Sequence, residues 1–309
     1  GTKGWEASIT WGDSFTLASK PFNYRIMAGI GDNTSKVTKY DNPNRTLTDP
    51  YEGQQLGEIW GYVVDGYFKT DEEARNYKVD QSFVNQMINA SALDNGLHAG
   101  DLKFVDLDGN NKIEQTTSAN DRKDMKVIGN SLPRYNYNFG ISADWYGIDF
   151  SVLFQGIGKQ NWYPGAETSM FWGPYSRPYA SFIPSDFMSQ VWSEENTDAY
   201  FPRPRGYVAL GSNRELAVVN TKYLQNLAYC RLKNLSIGYT LPDKWLSKIG
   251  FEKIRVYFSG ENLLTFTKLH SDYIDPEQAS ASNSWKTSKS DANIYPWAKT
   301  YSFGVDITF

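Results

Sequence analysis

Apolar and polar residues alternate at every second position through several separated segments, the period of a β-strand with one apolar face. From Tyr135 to Trp145 the apolar set is Tyr135, Tyr137, Phe139, Ile141, Ala143 and Trp145, and Asn136, Asn138, Gly140, Ser142 and Asp144 oppose it. Past a tight turn at Gly147 the parity resumes as Ile148, Phe150, Val152 and Phe154 against Asp149, Ser151 and Gln155, which predicts an antiparallel hairpin. Trp5, Ala7, Ile9 and Trp11 predict a further strand; Tyr24, Ile26, Ala28 and Ile30 predict the next, after the break at Lys20-Pro21. Gly57 to Phe68, Leu227 to Tyr239, Ile254 to Glu261 and Tyr301 to Phe309 bring the count to about eight strands. Helical pattern is scarce, and Phe83 to Leu93 is its best example.

The connections are unequal. Gly147 and the link from Leu241 to Gly250 are short, whereas 69–134, 160–222 and 263–299 are long. Ordinary connections run to a few residues, so a soluble sandwich rarely carries several loops of this size. Short turns alternating with long loops are the habit of an outer-membrane barrel. The alternation fails between Ile30 and Phe68, which points to a missed strand near Thr34 to Tyr40 or to a misreading of one side of this region. No segment approaches the roughly 18 apolar residues of a membrane helix. A barrel strand needs only about ten residues with one apolar face.

Composition narrows the chemistry. Lys+Arg 31 against Asp+Glu 35 gives a net charge of −4, with no general pull toward nucleic acid. The lone Cys230 excludes an internal disulfide and a four-cysteine metal site. His98 and His270 lie far apart in loops and leave few ingredients for zinc or triad catalysis, so no catalytic residue is assigned. Tyrosine (21) exceeds phenylalanine (17), so much of the aromatic surface carries a polar end.

Six blocks in this order resemble the C-terminal part of a SusC-like TonB-dependent outer-membrane transporter, the Bacteroidetes nutrient importers of SusCD or RagAB type. They are GEIWGYVVDGYF (57–68), GDLKFVDLDGNNKI (100–113), the stretch from Asp121 to Gln160, YLQNLAYCRLKNLSIGYTLP (223–242), IRVYFSGENLLTFTKLHSDYIDPE (254–277) and YSFGVDITF (301–309). The resemblance implies an all-β fold: a transmembrane antiparallel β-barrel of about 22 strands, of which residues 1–309 supply the last eight or nine or so, with long extracellular loops. It implies that the plug, the first barrel strands and the TonB-contacting segment lie in a remainder of the same polypeptide. It further implies a SusD-like lipoprotein partner, TonB, outer-membrane lipid around the barrel, and an oligosaccharide or oligopeptide as cargo, with no cofactor required. The alternatives are a siderophore or vitamin receptor of the wider TonB-dependent class, or a soluble carbohydrate-binding β domain.

Three groups of residues carry candidate sites. Asp106, Asp108, Asn110 and the backbone of Lys112 occupy alternate positions of a calcium-type loop, 106–117, in which Asn111 replaces the usual glycine and Thr117 the usual closing glutamate. Calcium or magnesium is one reading; a turn in which Asp and Asn bond their own backbone is the other. Trp162, Tyr163, Trp172, Tyr175, Arg177, Tyr179, Trp192 and Tyr200 crowd one long loop, and three readings stand: loop packing, contact with a partner subunit, or contact with ligand. Tyr301, Phe303, Val305, Ile307 and the final Phe309 resemble the signal read by barrel-assembly machinery.

Overall fold

The computed structural model describes residues 1–85, 96–176, 182–204, 206–211, 214–246, 250–279, 289–290 and 296–309. One sheet dominates it: β1 (Thr2–Leu17), β2 (Lys20–Ser35), β3 (Arg134–Trp145), β4 (Ile148–Lys159), β5 (Tyr229–Thr240), β6 (Lys253–Thr267) and β7 (Thr300–Thr308). The seven strands lie in chain order, each antiparallel to the next. Two-residue turns join the first two hairpins, Ala18-Ser19 (φ 48° and 62°) and Tyr146-Gly147 (φ 50° and 85°). Positive φ at both positions marks the mirror-image turn whose twist suits paired strands. Residues 241–252 join β5 to β6, while 36–133, 160–228 and 268–299 are long. All short turns therefore fall at one end of the sheet and all long loops at the other.

The register decides which side chains share a face, because directly paired residues point the same way. One row across the sheet reads Phe15, Phe22, Trp145, Ile148, Tyr239, Val256 and Val305; another reads Trp11, Ile26, Ile141, Val152 and Leu235. Among the described residues no element covers this face: Ile9 is 64% exposed and Phe303 83%. A wall of that kind has hydrocarbon as its solvent, with backbone groups satisfied strand to strand. The opposite face is polar, and one of its rows runs Arg25, Ser142, Ser151, Ser236, Ser259, Ser302. Arg255 on that face holds Asp149 of β4 at 2.6 Å and Asp306 of β7 at 3.3 Å. Parity thus gives a lipid side and a lumen side.

One strand assignment needs correction. The alternation of Gly57 to Phe68 predicts a wall strand, but Glu58–Tyr62 pairs with Met125–Asn130 and Val64–Tyr67 with Leu102–Phe104, in two separate small sheets. Ile59, Tyr62 and Tyr67 are buried, so the apolar half of this alternation faces protein rather than lipid. The described wall accordingly has seven strands rather than eight or nine. No extra strand lies near Thr34 to Tyr40: β2 runs on to Ser35, followed by a single bridge from Lys36 to Gln55. With that change short and long connections alternate throughout, and the first long loop begins at 36 rather than 69. Of the expected helix, Phe83 to Asn85 form a turn, and the rest of that stretch lies outside the described residues.

Candidate functional site

The three long loops share one core at the mouth end of the wall. Tyr62, Tyr67, Leu102, Phe104 and Ile113 come from 36–133, Trp162, Tyr163, Trp172, Tyr175, Phe201 and Tyr223 from 160–228, and Leu269, Ile274 and Ala279 from 268–299. Its rings meet edge-to-face and stacked: Phe171 against Trp172 at 4.8 Å, Trp172 against Tyr223 at 5.1 Å and Phe187 against Phe201 at 4.7 Å. Quadrupole-matched contacts of this type add to the area each ring buries.

The surplus of tyrosine acquires a physical reason here, because the core satisfies the polar ends of Tyr67, Tyr163 and Tyr175, although Tyr62 Oη is buried without a hydrogen-bond partner among the described residues. Tyr163 Oη donates to the Leu216 carbonyl (2.8 Å) and accepts from Asn220 Nδ2 (2.8 Å). Tyr175 Oη donates to the Pro202 carbonyl at 2.6 Å, Tyr67 Oη to the Tyr200 carbonyl at 2.6 Å, and Trp172 Nε1 to the Gly165 carbonyl at 3.0 Å. Burial pushes the Tyr163 and Tyr223 phenols well above their ordinary range and Tyr200, whose hydroxyl accepts from Gln225 Nε2 at 2.8 Å, up to about 12, so all three remain neutral at any physiological pH. Lys222, whose ammonium sits 4.7 Å from the Tyr67 ring centre, is depressed by burial.

Of the aromatic candidates, Trp162, Tyr163, Trp172 and Tyr175 are at most 1% exposed and Trp192 is 7% exposed. The structure places these five in the packing of the loops, and neighbouring rings pack against Tyr163, Trp172 and Tyr175. Tyr200 is half-buried, stacked at 3.4 Å on His270. Arg177 and Tyr179 lie outside the described residues. Tyr301, Phe303, Val305, Ile307 and Phe309 stand on the lipid-side face of β7 and just beyond it, 47–83% exposed.

The acidic loop is closed by a residue that its spacing did not reveal. Carboxylate oxygens of Asp106, Asp108 and Asp124 lie within 4.8 Å of one another, and the Thr117 carbonyl accepts from the Leu47 N–H at 2.9 Å. Asn111 adopts φ 61°, a left-handed conformation that asparagine tolerates better than most residues, and its N–H donates to Asp106 Oδ2 at 2.7 Å. Asn110 Oδ1 accepts from the Lys112 N–H at 2.8 Å, a turn bond within the chain. Buried Asp124 accepts from the N–H groups of Leu107 (2.8 Å) and Glu114 (2.7 Å). Burial, followed by the charges of Asp108 and Asp106, raises the Asp124 carboxyl above its ordinary range. Asp106 and Asp108, two residues apart, together with the distant Asp124 are the oxygen-bearing groups that would hold a hard divalent cation, and the same carboxylates cap the turn through backbone N–H bonds. Asp124 escapes a search based on spacing because it comes from the segment leading into a different strand.

A two-faced antiparallel wall, with short turns at one end and packed loops at the other, is that of a transmembrane β-barrel. No known family profile matches the chain. Three curated receptors of Formosa agariphila align with 99% of it: TonB-dependent receptor P3 at 26% identity over 326 residues, P39 at 25% over 335 and P26 at 23% over 323. The chain spans 28%, 30% and 29% of their lengths. The open-open structure of the RagAB peptide importer has a TM-score of 0.64 at 18% identity, and a structure of the RagAB peptide transporter has 0.60 at 17%. Each covers 100% of this chain and 29% of the other. The chain is therefore related to TonB-dependent receptors over its whole length, and the SusC-like resemblance read from its sequence holds.

Proposed function

We propose that this chain supplies part of the barrel wall and mouth loops of an outer-membrane importer. This importer takes up oligopeptides or oligosaccharides, works with a SusD-like surface lipoprotein and is driven by TonB. The observation that carries the reading is the division of one sheet into a continuous apolar face and a serine-rich polar face, with three long loops packed together at a single end. The apolar face suits the lipid, the polar face suits a hydrated lumen, and the loops form a surface on which cargo and a lid protein can meet. Nothing in such a cycle needs covalent chemistry; binding, closure and release are differential affinities between states. TonB would act through parts of the protein outside this chain.

The test is uptake by cells lacking the full-length transporter gene, measured with labelled oligopeptides, oligosaccharides, ferric siderophore and vitamin B12, together with identification of proteins that copurify in detergent. Loss of oligopeptide or oligosaccharide uptake, with a surface lipoprotein in the complex, supports the reading. Intact nutrient uptake with loss of siderophore or vitamin uptake overturns it in favour of the wider receptor class.

A further inference from the structure

The segment from His270 to Ala279 ties the loop core to the wall. Along its length it is embedded in the loop core, to which Ile274 and Ala279 belong. The His270 ring stacks on Tyr200 and its Nε2 meets Gln190 Oε1 at 2.8 Å, while the Ser271 hydroxyl donates to the Met170 carbonyl at 2.7 Å. Between Ile274 and Ala279, Asp275 and Glu277 pin it to the wall through Arg231, a β5 residue 2% exposed that pairs with Gln155 of β4 and Thr265 of β6 on the lumen side.

Each of the three guanidinium nitrogens of Arg231 donates a hydrogen bond. Nη2 donates to Asp275 Oδ1 (2.7 Å), Nη1 to Glu277 Oε2 (2.6 Å) and Nε to Thr265 Oγ1 (2.9 Å). Lys233 Nζ adds two bonds of 2.8 Å to Glu277, and the Trp297 N–H donates to Asp275 Oδ2 at 3.2 Å, bringing in the far side of the same loop. A planar fork reaching two acids and a hydroxyl fixes direction as well as distance, which the point charge of a lysine does not. Buried charge pairs are a poor source of net stability but a good source of geometric definition, since every misaligned arrangement leaves a desolvated charge.

We propose that Arg231 is a positioning residue. Through the Asp275-Pro276-Glu277 strap it holds the loop core in one orientation over the lumen mouth, so that the loops present a single surface to cargo. The positioning stands on the contacts above; its consequence for uptake rests on the importer reading.

The test uses the full-length transporter in detergent, comparing wild type with Arg231→Gln, Arg231→Lys and Glu277→Gln by hydrogen-deuterium exchange. It also measures uptake in cells, normalised to the amount of folded barrel. Arg231→Gln is expected to speed exchange in 268–279 at least tenfold and in the loop core to a lesser degree, with β3, β4 and β7 unchanged. Glu277→Gln, which keeps the Asp275 contact, gives a smaller change in the same peptides. Half-saturating cargo concentration should rise several-fold in Arg231→Gln while the maximal rate per barrel stays within twofold. Unchanged exchange in 268–279, equal loosening of the wall strands in both Gln variants, or full recovery in Arg231→Lys would overturn the positioning role. The expected exchange pattern with no uptake of any cargo, in wild type as in the variants, would leave the strap standing and remove the importer reading.

Discussion

Neighbouring residues on β4 offer a sharp test of the wall, because Val152 and Ser151 share a backbone yet face opposite solvents. Val152 sits in the row with Trp11, Ile26, Ile141 and Leu235; Ser151 sits in the row with Arg25, Ser142, Ser236 and Ser259. From Ile148 to Gly156, at about 3.4 Å per residue and a tilt of about 40°, the apolar band is roughly 21 Å tall. That height approaches the band of about 25 Å found in such barrels, and Val152 falls at its middle. An arginine at midplane on the lipid face costs roughly 2–4 kcal/mol, a factor of roughly 30 to several hundred in the folding equilibrium. On the lumen face the same side chain stays in water, so its cost should be within about 1 kcal/mol, as for other surface changes away from buried features. The assay is refolding of full-length Val152→Arg and Ser151→Arg barrels into lipid vesicles across a urea series, with the folded fraction read by gel mobility of unheated samples. Equal loss in the two variants, or a greater loss in Ser151→Arg, would refute the assignment of faces and with it the membrane reading of the sheet.

Trp172→Ala deletes a fully buried side chain from the loop core and should cost the loops about 3–5 kcal/mol; limited proteolysis is expected to cut within 160–228 while the wall stays resistant. Gly100 has φ 81°, and an added Cβ would lie 2.6 Å from Trp192 Cε3, so Gly100→Ala should open the same loops to protease, whereas Gly109→Ala, where no atom lies within 4 Å, meets only the backbone penalty. The raised carboxyl of Asp124 makes loop stability depend on pH in a stated direction. Because the folded state holds that proton more tightly than the unfolded state, the stabilisation is fully present below the ordinary aspartate value of 3.8 and is lost as pH rises through the folded value. Without divalent cations the 106–124 region should therefore resist protease better near pH 4 than near pH 7. Millimolar calcium should restore resistance at pH 7, and protection unaltered by calcium and chelator alike would leave the turn as a backbone-capped structure only.

The alternation of Tyr135–Trp145 and Ile148–Phe154 reveals both strands and their two faces from sequence alone, since strand geometry is local and its period of two follows from the backbone. Tyr301 to Phe309 reads equally well for the same reason. Gly57 to Phe68 carries the same alternation and belongs elsewhere. Whether Ile59 and Tyr62 meet lipid or protein depends on pairing with Met125–Asn130, which is distant in the chain. The clustered aromatics between Trp162 and Tyr200 leave packing, partner and ligand all open until partners from three loops are seen around them; only then does burial follow. Asp124 joins Asp106 and Asp108 across a gap that no motif spacing encodes, and Arg231 finds Asp275 and Glu277 across another. Sequence by itself determined the strands, their lipid and lumen faces, and the kinship with TonB-dependent receptors, because each rests on short-range periodicity or on order along the chain. Tertiary structure alone decided the number of wall strands, the burial of the loop aromatics and the members of each charged cluster, because those depend on contacts between segments whose separation in sequence carries no record of their meeting.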